Sequence, residues 1–337
     1  TEEERAHPED DTGKYAWHWA SWPIHVSWRG LIRVNKATWV YKHALPMAKV
    51  YALTGEVEYA EKCAVILDAF ARRYPNWLYH TYFGSWVDLP PGEAARNLGE
   101  HPRAGKFALE EVINPIPRIR DQNDDGFGDT RVGFWGSGRF TAGVGGEGGF
   151  LLNCTVAYDL IRDAKHEDGT PAFTEETKRR IEDDLILAGC ADLENYASIN
   201  NKCGPGRALS AAVGTMFERP ESVRRALDGF NALMEQAFHF DGFCKESPSY
   251  SGMHLGGMRN IPDLVLGYSD PAGYEPEEGA AFSDLNPYQD VQRYRLALLS
   301  MVKMLRPDLN YPVIGDTHSG GGISAIYAEI LADHYGE

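Results

Sequence analysis

The chain has 337 residues, of which 43% are hydrophobic and 24% are charged, and its formal net charge at pH 7 is −16. This charge argues against a nucleic-acid partner, because neutralising phosphates requires a basic surface. No apolar run is long enough to span a bilayer, which argues against a membrane enzyme.

Apolar positions recur at helical spacing along much of the chain. Residues 37–53 and 57–73 form the first pair of segments, and Thr54 and Gly55 separate them. The pattern returns at residues 150–164, 175–198, 206–218, 221–238, 288–305 and 323–335. No sustained period-two alternation indicates strands. The sequence therefore predicts an all-α protein, an incomplete (α/α) toroid of helical hairpins in one domain over residues 1–337.

Residues 79–149 interrupt this periodicity and are rich in Gly and Pro. Loops of this length in a compact domain are usually functional or disordered, so we interpret the segment as the wall of a cleft. Trp135 and Arg139 lie within this segment. We expect Trp135 to stack on a sugar ring and Arg139 to bind an anionic group of the substrate. Packing of Trp135 in the core is the alternative.

The same segment contains a candidate cation loop at residues 121–129. Oxygen-bearing side chains alternate there, with glycine at the sixth position, and the run resembles the D-x-N-x-D-G-x-G-D loops of calcium-binding repeats. The proposed ligands are Asp121, Asn123, Asp125 and Asp129. Position twelve is Val132 instead of Glu, so a bidentate ligand must come from elsewhere. We expect a structural Ca²⁺, with a plain acidic turn as the alternative.

The five cysteines show no C-x-x-C spacing. This pattern excludes a disulfide framework and argues against a zinc cluster. We expect ordinary buried thiols, with one disulfide between Cys203 and Cys244 as the alternative.

Three blocks of polar residues follow the loop-rich segment. They read N-N-K at residues 200–202, D-G-F-C-K-E-S-P-S-Y at residues 241–250 and Y-P-V-I-G-D at residues 311–316. In order and spacing they resemble the motifs of the heparinase II/III and alginate lyase group of polysaccharide lyases. The resemblance implies a toroid that cleaves uronate-containing glycans by β-elimination and needs no cofactor for the chemistry.

The resemblance also implies roles for individual residues. Tyr250 would transfer protons, and Asn201 would neutralise the uronate carboxylate, which stabilises the developing enolate. Lys202 stands where the group usually has a histidine, and this departure weakens a scheme with a separate base. His254 and His318 are reserve bases, although a lone histidine is more often structural.

Further residues near the blocks are candidates for substrate binding. Asn200 is an alternative carboxylate donor, Arg207 supplies positive charge, and Glu246 would orient Tyr250 or Lys202. The alternatives are structural, because an Asn-Asn pair commonly caps a helix and an exposed Glu is often only a surface carboxylate.

The expected partner is an anionic polysaccharide or oligosaccharide, which implies a secreted or periplasmic location. The β-sandwich that normally follows the toroid in this group is not visible in this chain. Two other functions remain open. A toroid glycoside hydrolase would need two opposed carboxylates, such as Asp88, Asp241 or Glu246, and an inactive glycan-binding relative would explain Lys202.

Overall fold

The computed structural model describes residues 16–19, 22–25, 28–77, 80–81, 137–141, 143–194, 196, 199–317 and 321–336. Internal contacts divide the chain into two compact units. The first comprises Thr1–Gly143 and Val156–Ala188, and the second comprises Val144–Thr155 and Gly189–Glu337. The described residues are mostly helical, which confirms the all-α prediction. The single domain stays a prediction.

The first unit begins with an antiparallel pair of short strands and three helices. The elements are β1 (Ala16–Trp19), β2 (Trp22–His25), α1 (Trp28–Tyr41), α2 (Ala44–Thr54) and α3 (Val57–Ala71), followed by β3 (His80–Thr81) and β4 (Ser137–Gly138). Trp19 pairs with Trp22 in the first sheet, and Thr81 pairs with Ser137 in the second. The sequence predicted no strands, because segments this short show no alternation.

The predicted helix over residues 37–53 is broken in the structure. Lys42 and His43 form a turn between α1 and α2. Pro46 explains the break, because it has no N–H to donate and is tolerated only within the first turn of a new helix. The predicted break at Gly55 is confirmed: this residue has φ 75° and its N–H donates to the Tyr51 carbonyl at 2.7 Å.

The next element along the described part of the chain is a helix of 18 residues. This helix is α4 (Val144–Ile161), and a tight turn joins it to α5 (Glu175–Arg180). A π-helical stretch (Ile181–Leu187) and then α6 (Ala188–Glu194) follow α5 directly. The helical path predicted for residues 175–198 therefore ends at Glu194. In the first unit Tyr158 donates to Glu182 at 2.5 Å, and Arg180 pairs with Asp68 at 2.5 Å.

The remaining helices belong to the second unit. They are α7 (Gly204–Met216), α8 (Pro220–Ala237), α9 (Pro248–Met258), α10 (Asn260–Val265), α11 (Pro287–Asp290), α12 (Gln292–Lys303) and α13 (Ala325–Tyr335). Every residue of α7 from Arg207 to Gly214 is buried, and this helix packs chiefly on α8. Helices α9 and α10 were not predicted, because glycines hide the periodicity of α9. No helix in the described part of the chain combines the length and the apolar character needed to cross a membrane.

Candidate active site

The E-S-P-S-Y part of the second block forms the beginning of α9. Ser247 is the N-cap, and its hydroxyl accepts a hydrogen bond from the Tyr250 N–H at 3.2 Å. Pro248 occupies the first helical position, where its missing N–H costs nothing. Tyr250 therefore lies in the first turn of α9, half-buried, near the positive end of the helix dipole.

The D-G part of the same block forms a tight turn that connects α8 to α9. Phe238 and Cys244 form an isolated antiparallel β-bridge through their backbones. The Asp241 carboxylate accepts a hydrogen bond from the Phe243 N–H at 3.2 Å. Gly242 has φ 87°, and a Cβ at this position would lie 2.2 Å from the Leu296 carbonyl carbon. Only glycine fits, so Asp241 and Gly242 serve the turn.

The third block packs directly against the second. A Cβ on Gly315 would lie 2.9 Å from the Glu246 carbonyl oxygen, and the Gly315 φ of 55° is left-handed. The Ser249 N–H donates to the Thr317 hydroxyl at 3.1 Å. The structure thus brings residues 311–316 to the start of α9. Sequence reasoning missed Thr317, whose only signal is its position just after that block.

The first block also meets α9. The Asn201 amide nitrogen lies 4.0 Å from the Met253 sulfur, one helical turn beyond Tyr250. The side chain of Asn200 stabilises this segment. Its amide nitrogen donates to the Tyr196 hydroxyl at 2.7 Å, and its side-chain oxygen accepts from the Lys202 N–H at 2.8 Å. Sequence reasoning missed Tyr196 and Met253, because neither residue type signals a supporting role.

Glycines allow the first block to sit between α4 and α9. A Cβ on Gly204 would lie 2.7 Å from the Gly257 carbonyl carbon in α9, and a Cβ on Gly148 would lie 2.6 Å from the Gly206 nitrogen. A Cβ on Gly145 would lie 3.3 Å from the Lys202 carbonyl oxygen. These close approaches fix the position of residues 200–202 relative to Tyr250 within the second unit.

His254 lies on α9 but is enclosed. Only 3% of its surface is exposed, and neither ring nitrogen has a hydrogen-bond partner among the residues that the structure describes. The ring centroids of Tyr250 and Phe238 lie 6.3 Å and 5.9 Å away. Burial lowers the pKa of His254 to about 4, so the imidazole is neutral at pH 7. The structure therefore brings His254 beside Tyr250 without exposing it to solvent.

Two predicted binding residues have other surroundings. Glu246 is exposed, and its carboxylate makes no hydrogen bond or ion pair with Tyr250 or Lys202. Arg207 is 6% exposed, and its guanidinium donates to the Tyr196 carbonyl at 3.1 Å. No hydrogen bond between Glu246 and Tyr250 or Lys202 therefore supports the orienting role predicted for Glu246.

Arg139 belongs to the first unit, where it holds the chain after α3. Its guanidinium donates to the carbonyls of Pro75 and Trp77 at 3.0 Å and 3.2 Å and lies 5.4 Å from the Tyr74 ring centroid. These contacts stabilise a 3₁₀ turn, Tyr74–Asn76. The structure does not bring Arg139 into one compact unit with Tyr250.

Several predicted residues lie outside the described residues. They are Trp135, His318 and the four calcium ligands Asp121, Asn123, Asp125 and Asp129. Among the residues that are described, no group of three or more His, Cys, Asp or Glu side chains is arranged to hold a metal ion. All five cysteines are free, so the alternative of a Cys203–Cys244 disulfide is wrong.

No protein-family model matches the chain, and a comparison with curated proteins finds no match either. The resemblance to the lyase group therefore depends on the three blocks and on their arrangement around α9.

Proposed function

We propose that this protein is a polysaccharide lyase that cleaves a uronate-containing glycan, sulfated or unsulfated, by β-elimination. The observation that carries the proposal is the convergence of three separated sequence blocks at the start of α9. Asn201 contacts Met253, which lies one helical turn beyond Tyr250, and Gly315 of the third block packs on Glu246 and Ser247. Sequence proximity does not explain this arrangement, because 38 residues separate the first block from the second and 60 residues separate the second from the third.

The elimination assigns both proton transfers to Tyr250. The phenolate oxygen takes the C5 proton of the uronate, and the electron pair of that bond forms the C4–C5 double bond. The C4–O bond breaks at the same time or from an enolate. The departing glycosidic oxygen then takes the phenol proton, which regenerates the phenolate. No water is consumed and no cofactor is required.

The elimination develops negative charge on the uronate, and residues around α9 can stabilise it. The C5 proton becomes acidic only when the adjacent carboxylate is neutralised, and the Asn201 amide is a donor at the edge of α9. Tyr250 lies in the first turn of α9, near the positive end of the helix dipole. Lys202 follows Asn201 and supplies a cation that binds the substrate in ground and transition states alike.

His254 and Asp241 favour this scheme over its alternatives. His254 is buried and therefore does not reach a substrate directly, which removes one of the alternative bases. The Asp241 carboxylate accepts from the Phe243 N–H, which gives it a structural role within the turn. Both points support elimination by one residue.

Three further properties belong to the proposed lyase: a toroid architecture, a location outside the cytoplasm and a bound cation. Helical hairpins such as α2 with α3 and α7 with α8, joined by short turns, are the repeating unit of an (α/α) toroid. A polymeric anionic substrate favours a secreted or periplasmic location. The oxygen spacing at residues 121–129 supports a structural Ca²⁺.

Incubation with a panel of uronate polysaccharides tests the proposal. Heparan, chondroitin, alginate and ulvan are the four substrates, and the measurement is ultraviolet absorbance from the new C4–C5 double bond. We expect absorbance to rise with at least one polymer and not with a Tyr250→Phe variant. New reducing ends without absorbance would indicate a hydrolase, and unchanged polymer that binds the protein would indicate a binding protein.

A further inference from the structure

A groove of about 900 Å³ lies in the second unit along α8, away from the residues assigned to elimination. Arg207, Arg224 and Arg225 line it, and neither Tyr250 nor Asn201 does. Five exposed carboxylates complete its wall: Glu221, Asp228, Glu275, Glu277 and Glu278. The groove therefore combines a more buried pair of cations with an exposed acidic rim.

The two guanidinium groups of the pair bind main-chain oxygens only. Arg207 donates to the Tyr196 carbonyl at 3.1 Å, and Arg225 donates to the same carbonyl at 3.2 Å and to that of Glu194. Among the described residues no carboxylate lies within ion-pair distance of either group, and the Arg225 Nε is buried without a partner. Two like charges therefore share one acceptor.

The pKa values report the same imbalance. Burial lowers the pKa of Arg207, and burial together with the Arg207 charge lowers the pKa of Arg225 to about 10. An anion beside the pair would offset both the desolvation and the mutual repulsion.

Arg224, the neighbouring arginine, shows what a structural arginine looks like here. It forms an ion pair with Asp270, and its guanidinium lies 4.1 Å from the Phe282 ring centroid. Asp270 also accepts from the Phe282 N–H at 2.7 Å, so the charge of Arg224 is balanced within the protein. Among the described residues Arg207 and Arg225 have no carboxylate at ion-pair distance, and the charges of Glu194 and Asp228 offset theirs only in part.

We propose that this groove binds a small ligand that carries a carboxylate and an ammonium group. The carboxylate binds Arg207 and Arg225, and the ammonium group binds the acidic rim formed by Glu277, Glu278 and their neighbours. A ligand with negative charge alone meets repulsion at the rim, and one with positive charge alone meets repulsion at the guanidinium pair. This site is independent of the proposed elimination.

Calorimetric titration with three matched probes tests the site. The probes are 6-aminohexanoate, hexanoate and hexylamine, which share a chain length and differ only in their charged ends. We expect 6-aminohexanoate to bind about tenfold more tightly than either single-charge probe, a difference of about 1.4 kcal/mol. Equal affinity for 6-aminohexanoate and hexanoate, or no binding of any probe, would overturn the proposal.

Variants assign the binding to the groove. Glu277→Gln with Glu278→Gln should reduce the affinity for 6-aminohexanoate to that for hexanoate, whereas Glu329→Gln, an exposed residue of α13 outside the groove, should change neither. Arg225→Gln should abolish binding of both probes. If Arg225→Gln fails to fold, the glutamate variants decide, and an unchanged preference in them contradicts the proposal. Loss of lyase activity has no bearing on either result.

Discussion

Two turns of the molecule have the same backbone and different consequences. Residues 164–172 connect α4 to α5 in the first unit, and residues 237–245 connect α8 to α9 in the second. The His166 N–H donates to the Thr170 carbonyl at 2.8 Å, and the His239 N–H donates to the Phe243 carbonyl at 2.8 Å. In each turn a glycine with φ above 80° follows an aspartate whose carboxylate accepts from the N–H two residues on.

The resemblance continues into the helix that follows each turn. Thr174 caps α5 by accepting from the Thr177 N–H at 3.2 Å, and Ser247 caps α9 by accepting from the Tyr250 N–H at 3.2 Å. The position filled by half-buried Thr177 in the first region holds Tyr250 in the second. The D-G signature therefore reports a turn, and only the residues after the cap distinguish a candidate active site from a connection.

The largest expected effect separates the two glycines. Gly242→Ala should lower the free energy of unfolding by about 3 kcal/mol or more, because a Cβ there adds overpacking to left-handed strain. Gly169→Ala should cost only about 1 kcal/mol, since nothing lies within 4 Å of its Cβ position. Chemical denaturation of both variants measures the difference. Equal losses would show that the second turn is not packed against α12 as described.

Tyr250→Phe should reduce turnover by about a hundredfold or more, because the ring stays and only the proton-transfer hydroxyl is removed. Thr177→Ala, the matched change in the first region, should leave turnover unaltered. Initial rates from ultraviolet absorbance measure both variants, with circular dichroism as the folding control. Near-normal turnover of the phenylalanine variant removes the acid and base role from Tyr250.

Asn201→Ala should also reduce turnover by about a hundredfold, which is typical of losing one donor to a developing oxyanion. Lys202→Ala should mainly raise KM and weaken the salt dependence of binding, because its charge acts on ground and transition states alike. If Lys202 is instead the base, its removal lowers kcat and Lys202→His restores it. Measuring kcat and KM of the three variants across pH separates the two schemes.

His254 occupies the position that buried Ile181 fills in the first region. Its folded pKa of about 4 lies below the unfolded value of about 6.5, so the unfolded state binds a proton first as pH falls. Stability should fall between pH 6.5 and pH 4, by about 2 kcal/mol. His254→Leu should flatten this dependence, whereas His239→Gln, at an exposed residue, should not. An unchanged acid profile in His254→Leu would contradict the burial of a neutral imidazole.

A third turn of the same kind gives the smallest effect. Leu309 follows Asp308 with φ 61°, where the other two turns have glycine, and its side chain is 69% exposed. Leu309→Gly should raise the free energy of unfolding by about 0.5 kcal/mol, because relief of left-handed strain exceeds the added chain entropy. Thermal melting checks this, and a lower melting temperature would mean that Leu309 is held by packing.

Local signals predicted much of the fold. Helical periodicity located α3, α4, α7, α8 and α13, and Thr54 with Gly55 ended α2 as expected. The break before α2 was missed because the apolar spacing continues across it, whereas Pro46 does not permit one helix. Helix α9 was missed because its glycines, which allow α7 to approach closely, carry no side chains for a periodic pattern.

The sequence by itself determined most of the longer helices, the turn at Asp241 and Gly242, and the three blocks that name the candidate residues. These depend on interactions between neighbours in the chain, which a linear pattern records. Only the tertiary structure decided that Asn201 meets α9, that Gly315 packs on Glu246, that His254 is enclosed and that Arg207 lines a different groove. Those outcomes depend on how closely separate helices approach, and that distance is set by packing around glycines far apart in sequence.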